Sequence, residues 1–147
     1  MEILNRKASF DYFIEEEYEC GIVLTGNEIK SIRDGSCNIK DSYGIIKNNE
    51  LFILNMFIKK YDKAGVFAPE ETKTRKLLVH KKEIIKLSQK VEQEGYTLIP
   101  LKVYFKNNKV KILLGLCKGK KNYDKRNALK EKEIKMNIKK DLKDSLR

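Results

Sequence analysis

The chain has 147 residues, 41% of them apolar, and carries 32 Lys and Arg against 21 Asp and Glu, for a net charge of +11 and a pI near 9.5. This length corresponds to one domain, and the basic excess favours an anionic partner such as nucleic acid or an acidic membrane. No apolar run reaches the roughly 18 residues of a membrane span, and the three cysteines lack the spacing of a zinc site or a disulfide framework. We therefore expect a soluble cytoplasmic protein that does not span a membrane and holds neither a metal nor a cofactor.

The first predicted elements are a strand and a helix. Residues 14–24 have a strand signature, in which Gly21 marks a bulge or a close approach of two chain segments. Thr25 and Glu28 stand at the spacing of a capping box, which predicts a helix over 26–34.

A hairpin and a loop follow. Residues 43–47 and 51–57 are apolar segments on either side of Asn48-Asn49-Glu50, an arrangement typical of a β-hairpin. The next stretch, 59–75, has the composition of a loop.

The last ordered elements are a helix and a second hairpin. Apolar residues recur at helical spacing over 81–94. Strand alternation then runs through 101–106 and 110–116, on either side of Asn107-Asn108, and predicts a hairpin with one apolar and one basic face. Pro100 is expected at the edge of the sheet. These elements together predict a mainly β domain over residues 1–119 with flanking helices, built as a small closed antiparallel barrel of the oligonucleotide-binding (OB) type.

The positive charge is concentrated at the end of the chain. Residues 1–117 have 20 basic and 16 acidic side chains, a net charge of +4, whereas 118–147 have 12 basic and 5 acidic side chains, a net charge of +7. Apolar residues of this segment fall on one stripe of a helix: Leu129, Ile134, Ile138, Leu142 and Leu146. A lone basic helix is marginal in water, so residues 120–147 are predicted to be a tail that is disordered until it binds and then becomes helical.

The residues offer little for catalysis. His80 is the single histidine and stands at the start of a predicted helix, where capping or exposure to solvent is its expected role. The acidic run from Glu15 to Glu19 could hold Mg²⁺ for a nuclease, but neighbouring strand residues point to opposite faces, which favours a solvated acidic edge. We expect a binding protein and not an enzyme.

Three basic patches are candidates for RNA binding. If the apolar residues of the second hairpin face the core, its outward face carries Lys102, Tyr104, Lys106, Lys109 and Lys111. Lysines there can neutralise phosphates while the tyrosine stacks on a base, although an ordinary lysine-rich surface would have the same pattern. The other two patches contain Lys73, Arg75 and Lys76, and, on the first helix, Lys30 and Arg33.

A denser cluster lies where the predicted barrel ends. Its members are Lys118, Gly119, Lys120, Lys121, Asn122, Tyr123, Asp124, Lys125 and Arg126. The cations could clamp phosphates while Tyr123 stacks, and a basic tail without specificity is the alternative.

A series of segments along nearly the whole chain matches the pattern of one known family. The segments are Asn5-Arg6-Lys7-Ala8, Asp11-Tyr12 with Ile14 and Glu16, Gly21-Ile22-Val23-Leu24, Gly26 through Lys30-Ser31 and Arg33, Asp41-Ser42-Tyr43, Arg75-Lys76-Leu77-Leu78, Pro100-Leu101-Lys102 through Tyr104-Phe105-Lys106-Asn107, and Lys118-Gly119-Lys120-Lys121 through Asp124-Lys125-Arg126. So many matches in one order are highly specific, and by them the sequence resembles the SmpB family of bacterial SsrA-binding proteins.

The resemblance implies a function in trans-translation. A protein of this kind binds the tRNA-like domain of transfer-messenger RNA (tmRNA) through an OB-type barrel and accompanies it into stalled ribosomes, where its basic tail probes the empty mRNA channel. On that basis Asn5, Glu19, Lys7, Lys102 and Lys111 belong to an RNA-facing surface. The tail residues Gly119, Lys120, Tyr123, Asp124, Lys125 and Arg126 would then contact ribosomal RNA near the decoding centre.

The sequence departs from the family pattern at two places. Val66-Phe67-Ala68-Pro69 stands where an Asn-His pair usually precedes a proline, and Tyr123 stands where some members have His. An aromatic ring at Tyr123 preserves stacking but cannot titrate near neutral pH. A sequence-tolerant single-strand binder of cold-shock type and the metal-dependent nuclease remain the alternatives.

Overall fold

A computed structural model of the chain describes residues 2–60, 71–121 and 126. The described part is mainly β, as predicted. Its helices are α1 (Ala8–Asp11), α2 (Gly26–Arg33) and α3 (Lys81–Glu94). Its strands are β1 (Glu2–Leu4), β2 (Tyr12–Ile22), β3 (Cys37–Asn38), β4 (Tyr43–Lys47), β5 (Glu50–Leu54), β6 (Phe57–Ile58), β7 (Arg75–Leu78), β8 (Thr97–Lys106) and β9 (Lys109–Gly119).

Seven of the strands form one antiparallel sheet in the order β1-β8-β4-β5-β7-β2-β9, and β8 also pairs with β9. That extra pairing joins the two ends of the series β8-β4-β5-β7-β2-β9 and closes the pairings into a ring. Each strand of the series therefore has a partner on both sides. The inward faces bury the main core, whose fully buried members include Leu51, Ile53, Leu77, Leu98, Ile112, Leu114 and Leu116. Strands β3 and β6 form a separate pair.

The second predicted hairpin is confirmed as β8 and β9. From Lys109 to Leu114 alternate residues of β9 are buried, with Lys109 and Lys111 on the other face, and residues 114–117 are all buried. The register shifts between Pro100 and Lys102. Pro100 is buried beside this bulge, opposite Leu114 of β9. Strand β8 is not an edge strand of the sheet, but its pairing with β4 is at Leu98 and its pairing with β1 begins at Lys102. Pro100 lies between these two partners, where its missing amide is tolerated.

The capping box of α2 is confirmed. The Thr25 side chain accepts from the Glu28 N–H at 3.2 Å, and the Glu28 carboxylate accepts from the Thr25 N–H at 3.0 Å. In β2 the register shift lies between Ile14 and Glu16, so Gly21 is not a bulge. It is a close approach, since a Cβ at Gly21 would lie 3.3 Å from the Leu78 Cβ.

The first predicted hairpin is confirmed in part. Asn48 and Asn49 have positive φ angles of 53° and 59°, which gives a tight two-residue turn between β4 and β5. The second strand ends at Leu54, before a left-handed Asn55 that redirects the chain. Phe57 consequently belongs to β6 and not to the hairpin.

The predicted loop over 59–75 ends sooner than expected. Arg75 is the first residue of β7, a short strand that pairs with both β2 and β5. Residues 61–70, including the departure at Val66-Phe67, lie outside the described residues.

Helix α3 is confirmed over the predicted range and ends at Gly95, which has φ +72°. His80 is at its N-cap position, is exposed, and forms no side-chain capping bond.

In the described part of the chain no helix is long and apolar enough to cross a membrane.

Candidate nucleic-acid interface

The outward side chains of three paired strands form one continuous surface. The register places Glu19 of β2 opposite Leu113 of β9, and Tyr104 of β8 opposite Lys111 of β9. We call this surface the β2–β9–β8 face and define it by Glu19, Lys102, Tyr104, Lys106 and Lys111. The structure thus brings five of the predicted RNA-binding residues together, and four of them come from the second hairpin.

Glu19 is the best-anchored group of the face. The Tyr104 hydroxyl donates to its Oε2 at 2.6 Å, and the Lys106 Nζ donates to its Oε1 at 3.3 Å. The hydrogen bond from Tyr104 lowers the pKa of Glu19, and the charges of Lys106 and Lys111 add to this effect against a smaller opposing effect of burial. The carboxylate is therefore ionised at neutral pH, and it is oriented before any partner arrives.

Tyr104 lies at the centre of the face. Burial, followed by the hydrogen bond to Glu19, raises the pKa of Tyr104, so its phenol stays protonated and continues to donate. The Nζ of Lys102 lies 5.2 Å from the centre of the Tyr104 ring and 3.5 Å from the Glu2 carboxylate. The face combines fixed cations, one fixed acceptor and one aromatic ring, which are the groups that contact phosphates, base edges and unstacked bases.

The basic patch of α2 contacts the β8–β9 hairpin at Phe105, which points to the opposite side of β8 from Tyr104. Lys30 and Arg33 are exposed on the last turn of the helix. The Arg33 guanidinium lies 5.3 Å from the centre of the Phe105 ring, which links α2 to the β8–β9 hairpin.

Arg75 does not belong to a basic surface, and its predicted contact with RNA is corrected here. Its side chain is fully buried, with its Nε 2.5 Å from the Glu28 Oε2 and its Nη1 donating to the Met56 carbonyl at 2.6 Å. Arg75 therefore joins β7 to α2 inside the domain. Its neighbour Lys76 is exposed, 3.3 Å from the Glu50 carboxylate.

The charge of Glu28 is retained inside the domain. Burial opposes ionisation, but the backbone hydrogen bond from Thr25 and the side chain of Arg75 outweigh it and hold the pKa of Glu28 below its ordinary value. The Nζ of Lys73 lies 3.5 Å from the other carboxylate oxygen.

Asn5 is also buried, at the place where β8 changes partners. Its Nδ2 donates to the Pro100 carbonyl at 2.9 Å and to the Ile39 carbonyl at 3.3 Å. Its Oδ1 has no hydrogen-bond partner among the described residues. Lys7 is exposed, and the two residues line a cavity of about 280 Å³ away from the β2–β9–β8 face.

The start of the predicted tail is attached to the domain. The Lys118 Nζ lies 4.6 Å from the centre of the Tyr96 ring, and the Lys120 Nζ lies 5.0 Å from that of Phe13. The backbone N–H of Lys120 donates to the Asp11 carbonyl at 2.8 Å. Gly119 ends β9, and Lys121 and Arg126 are exposed. Tyr123, Asp124 and Lys125 lie outside the described residues.

Three glutamates of the acidic run in β2 each accept a hydrogen bond from a different tyrosine. Tyr96 donates to Glu15, Tyr18 to Glu16, and Tyr104 to Glu19. Glu16 also accepts from Lys90 at 3.2 Å and lies 3.8 Å from the Lys86 Nζ. Across the residues that the structure describes, no group of His, Cys, Asp and Glu could hold a metal ion. Glu15, Glu16 and Glu19 therefore belong to three separate tyrosine pairs.

The sequence interpretation missed the partners in these pairs. Tyr18 donates to Glu16, a hydrogen bond that, after burial, raises the pKa of Tyr18 to about 12, and the bond to Glu15 raises that of Tyr96 to about 12. The sequence offered one indication that α3 lies against the acidic run. Its lysines at positions 86 and 90 are four residues apart and therefore share a helix face, and both lie near Glu16.

The cysteines carry no chemistry of the interface. Cys20 and Cys117 are buried, as expected of core residues, and Cys37 is half-buried. Burial raises the pKa of Cys20 and Cys37 to about 12 and that of Cys117 to about 11, so the thiols stay protonated and unreactive.

Comparisons with known proteins agree with one another. A family model described as SmpB protein matches residues 2–144. SsrA-binding proteins from Clostridium tetani and Shouchella clausii are each 52% identical over 143 residues, covering 97% of this chain and 92% of their own lengths. A solved structure described as "tmRNA-SmpB: a journey to the center of the bacterial ribosome" is 41% identical, with a TM-score of 0.70, and the match covers 87% of this chain and 94% of that one.

Proposed function

The chain belongs to the SmpB family, and we propose that it is the RNA-binding adaptor that binds the tRNA-like domain of tmRNA and delivers it to stalled ribosomes for rescue and tagging of the nascent chain. Its partners are tmRNA and the ribosome, and it acts in the cytoplasm without catalysing a reaction itself. The observation that carries the proposal is the β2–β9–β8 face, where an oriented carboxylate is surrounded by lysines beside a tyrosine.

The fold suits this role as an OB-type barrel with flanking helices. The ring of pairings that includes β8 and β9 makes a rigid support for the face. Side chains on paired strands of such a support keep their spacing on binding, which favours a partner of fixed shape over any polyanion.

The charges of the face suit selective recognition. Lysines at 102, 106 and 111 attract phosphates whatever the sequence. Glu19 repels phosphates but accepts hydrogen bonds from base edges and 2′-hydroxyls. It therefore favours the binding of a folded RNA that places such a donor opposite it. Lys30, Arg33 and Lys76 are further proposed phosphate contacts, and Lys7, beside Asn5, would contact the RNA away from this face.

Arg75 and Asn5 support binding from inside the domain. Arg75 holds β7 against α2, and Asn5 holds the start of β8, so each positions neighbouring basic residues without reaching RNA in this conformation.

The proposed division of labour places a boundary at residue 119. Residues 1–119 would form the RNA-binding domain, and 120–147 the basic tail that enters the mRNA channel and becomes helical on the ribosome. The N–H of Lys120 donates to the Asp11 carbonyl, so the first residue of the tail is anchored to the domain. The cluster from Lys118 and Gly119 through Lys121, Tyr123, Asp124, Lys125 and Arg126 would contact ribosomal RNA near the decoding centre.

A truncation tests the proposal. Ending the chain after Lys121 preserves the contacts of Lys120 with Asp11 and Ser9. This variant should bind the tRNA-like RNA as the full chain does but should not support tagging of nascent chains on stalled ribosomes. Loss of RNA binding on truncation, or full tagging without the tail, would contradict the proposal.

A further inference from the structure

A small crevice opens between α2 and the tip of the β8–β9 hairpin, next to the β2–β9–β8 face. Its volume is about 190 Å³, and it is lined by Ile22, Leu24, Ile29, Asn108, Lys109, Val110 and Lys111. We name it the α2–hairpin crevice. None of the functions above uses it.

The inner wall of the crevice is apolar and well supported. Ile22, Leu24 and Ile29 are half-buried and pack against the main core, and Val110 is buried. These side chains present hydrocarbon to the crevice and offer no polar side-chain group. A planar ring placed against this wall would lose water from the face in contact without leaving a wall group unsatisfied.

The rim of the crevice is basic and polar. Lys109 and Lys111 stand on the hairpin side with the amide of Asn108, and the lining contains no acidic residue. Asn107 and Asn108 have φ angles of 51° and 63°, which fix the hairpin tip in a tight turn. The rim therefore suits a ligand that joins an apolar ring to negative charge.

The size of the crevice limits its ligand. A volume of about 190 Å³ is several times the roughly 30 Å³ that one water occupies, but it is below the roughly 300 Å³ at which pockets for drug-sized molecules begin. One ring system fits, whereas a run of stacked nucleotides does not.

Lys111 makes the crevice continuous with the β2–β9–β8 face. It lies opposite Tyr104 of β8 and Gly21 of β2, and its charge contributes to the lowered pKa of Glu19. An RNA held on the face consequently passes the mouth of the crevice. We propose that the α2–hairpin crevice binds one unstacked nucleobase of the RNA on that face, with its ring against Ile29 and its phosphates beside Lys109 and Lys111.

This inference rests on the proposed function, and the chemistry defines the ligand further. Bases inside a duplex cannot enter a crevice of this size, so the base must come from a loop or another single-stranded position of a folded RNA. The lining contains no aromatic ring, so the gain in affinity comes from covering the base with aliphatic side chains and removing its surface from water.

The first test uses the full chain with labelled Ile, Leu and Val methyl groups and a minimal tRNA-like RNA. On binding, the methyl resonances of Ile29 and Leu24 should move upfield because they lie over the face of an aromatic ring. The exposed Ile85 of α3, which does not line the crevice, serves as the reference resonance. Unmoved Ile29 and Leu24 signals in the RNA-bound protein would overturn the inference.

The second test fills the crevice. Ile29→Phe should lower the affinity for the same RNA by roughly 5-fold, because the larger side chain occupies the space in which the base is buried. Ile85→Phe, the same exchange at an exposed site, should leave the affinity unchanged. Lys106→Ala, which removes a cation from the face, reports on the proposed function separately. Weakened binding by Lys106→Ala with full binding by Ile29→Phe would refute the crevice alone. Absence of binding by the wild-type chain would refute both. If Ile29→Phe fails to fold, the methyl resonances of the wild-type protein decide.

Discussion

Replacing Arg75 by Ala should lower the free energy of unfolding of the domain. It should remove no direct contact with RNA, because the Arg75 side chain is fully buried. The exchange leaves the carboxylate of Glu28, which is 2% exposed, without the guanidinium that lies 2.5 Å from it. Removing one partner of a buried ion pair costs about 3–5 kcal/mol. Because the Lys73 Nζ remains 3.5 Å from Glu28, we expect the lower end, about 3 kcal/mol.

The assay is thermal unfolding followed by circular dichroism, with Lys76→Ala as the matched control. A loss of about 3 kcal/mol lowers the midpoint by roughly 10 °C in a domain of this size. Lys76 is the neighbouring basic residue but is exposed, and its surface ion pair with Glu50 is worth at most about 1 kcal/mol. The control should therefore unfold within a few degrees of the wild type.

A double variant checks the cause. Arg75→Met combined with Glu28→Gln leaves no unpaired buried charge and should recover part of the stability lost in Arg75→Ala. The reasoning would be wrong if Arg75→Ala kept the wild-type midpoint but bound the tRNA-like RNA more weakly, because the guanidinium would then have to reach the RNA.

Three further changes have expected outcomes. Gly44→Ala should lower the free energy of unfolding by about 1–3 kcal/mol, because the new Cβ would lie 2.9 Å from the Leu98 Cβ where β4 meets β8. Urea titrations measure this loss, and an unchanged midpoint would contradict the prediction. Because the pKa of Glu28 is lowered in the folded state, its ionised form stabilises the domain above pH 4.5, the ordinary pKa of the group, and this stability is lost as the pH falls through the folded-state pKa. The difference in thermal midpoint between wild type and Glu28→Gln should therefore narrow below pH 4.5. Tyr104→Phe removes the hydroxyl that orients Glu19, and it should weaken RNA binding in fluorescence titrations while leaving the unfolding midpoint nearly unchanged; equal binding would show that the orientation of Glu19 is unimportant.

Local patterns predicted the elements whose signals are short-range. The capping box of α2, the helical spacing of α3 and the alternation in β8 and β9 each depend on residues close in sequence, and the structure confirms all three. The same alternation placed the basic residues of the second hairpin on one outward face.

Long-range pairing was not readable in the same way. Strand β7 is four residues long, and it is a strand because β2 and β5 flank it, while Arg75 is buried because Glu28, 47 positions away, offers a carboxylate. By sequence, Arg75 and Lys76 were equivalent cations. Only their opposite directions on β7 separate an internal ion pair from a surface charge.

The most direct test of the central claim compares two RNAs and one DNA at physiological salt. The full chain should bind a minimal tRNA-like RNA far more tightly than either a single-stranded RNA or a duplex DNA of equal length. Glu19→Ala should reduce this preference, because it removes the oriented acceptor of the β2–β9–β8 face. Equal affinity for the three nucleic acids would contradict the account and would indicate a protein that binds polyanions by charge alone.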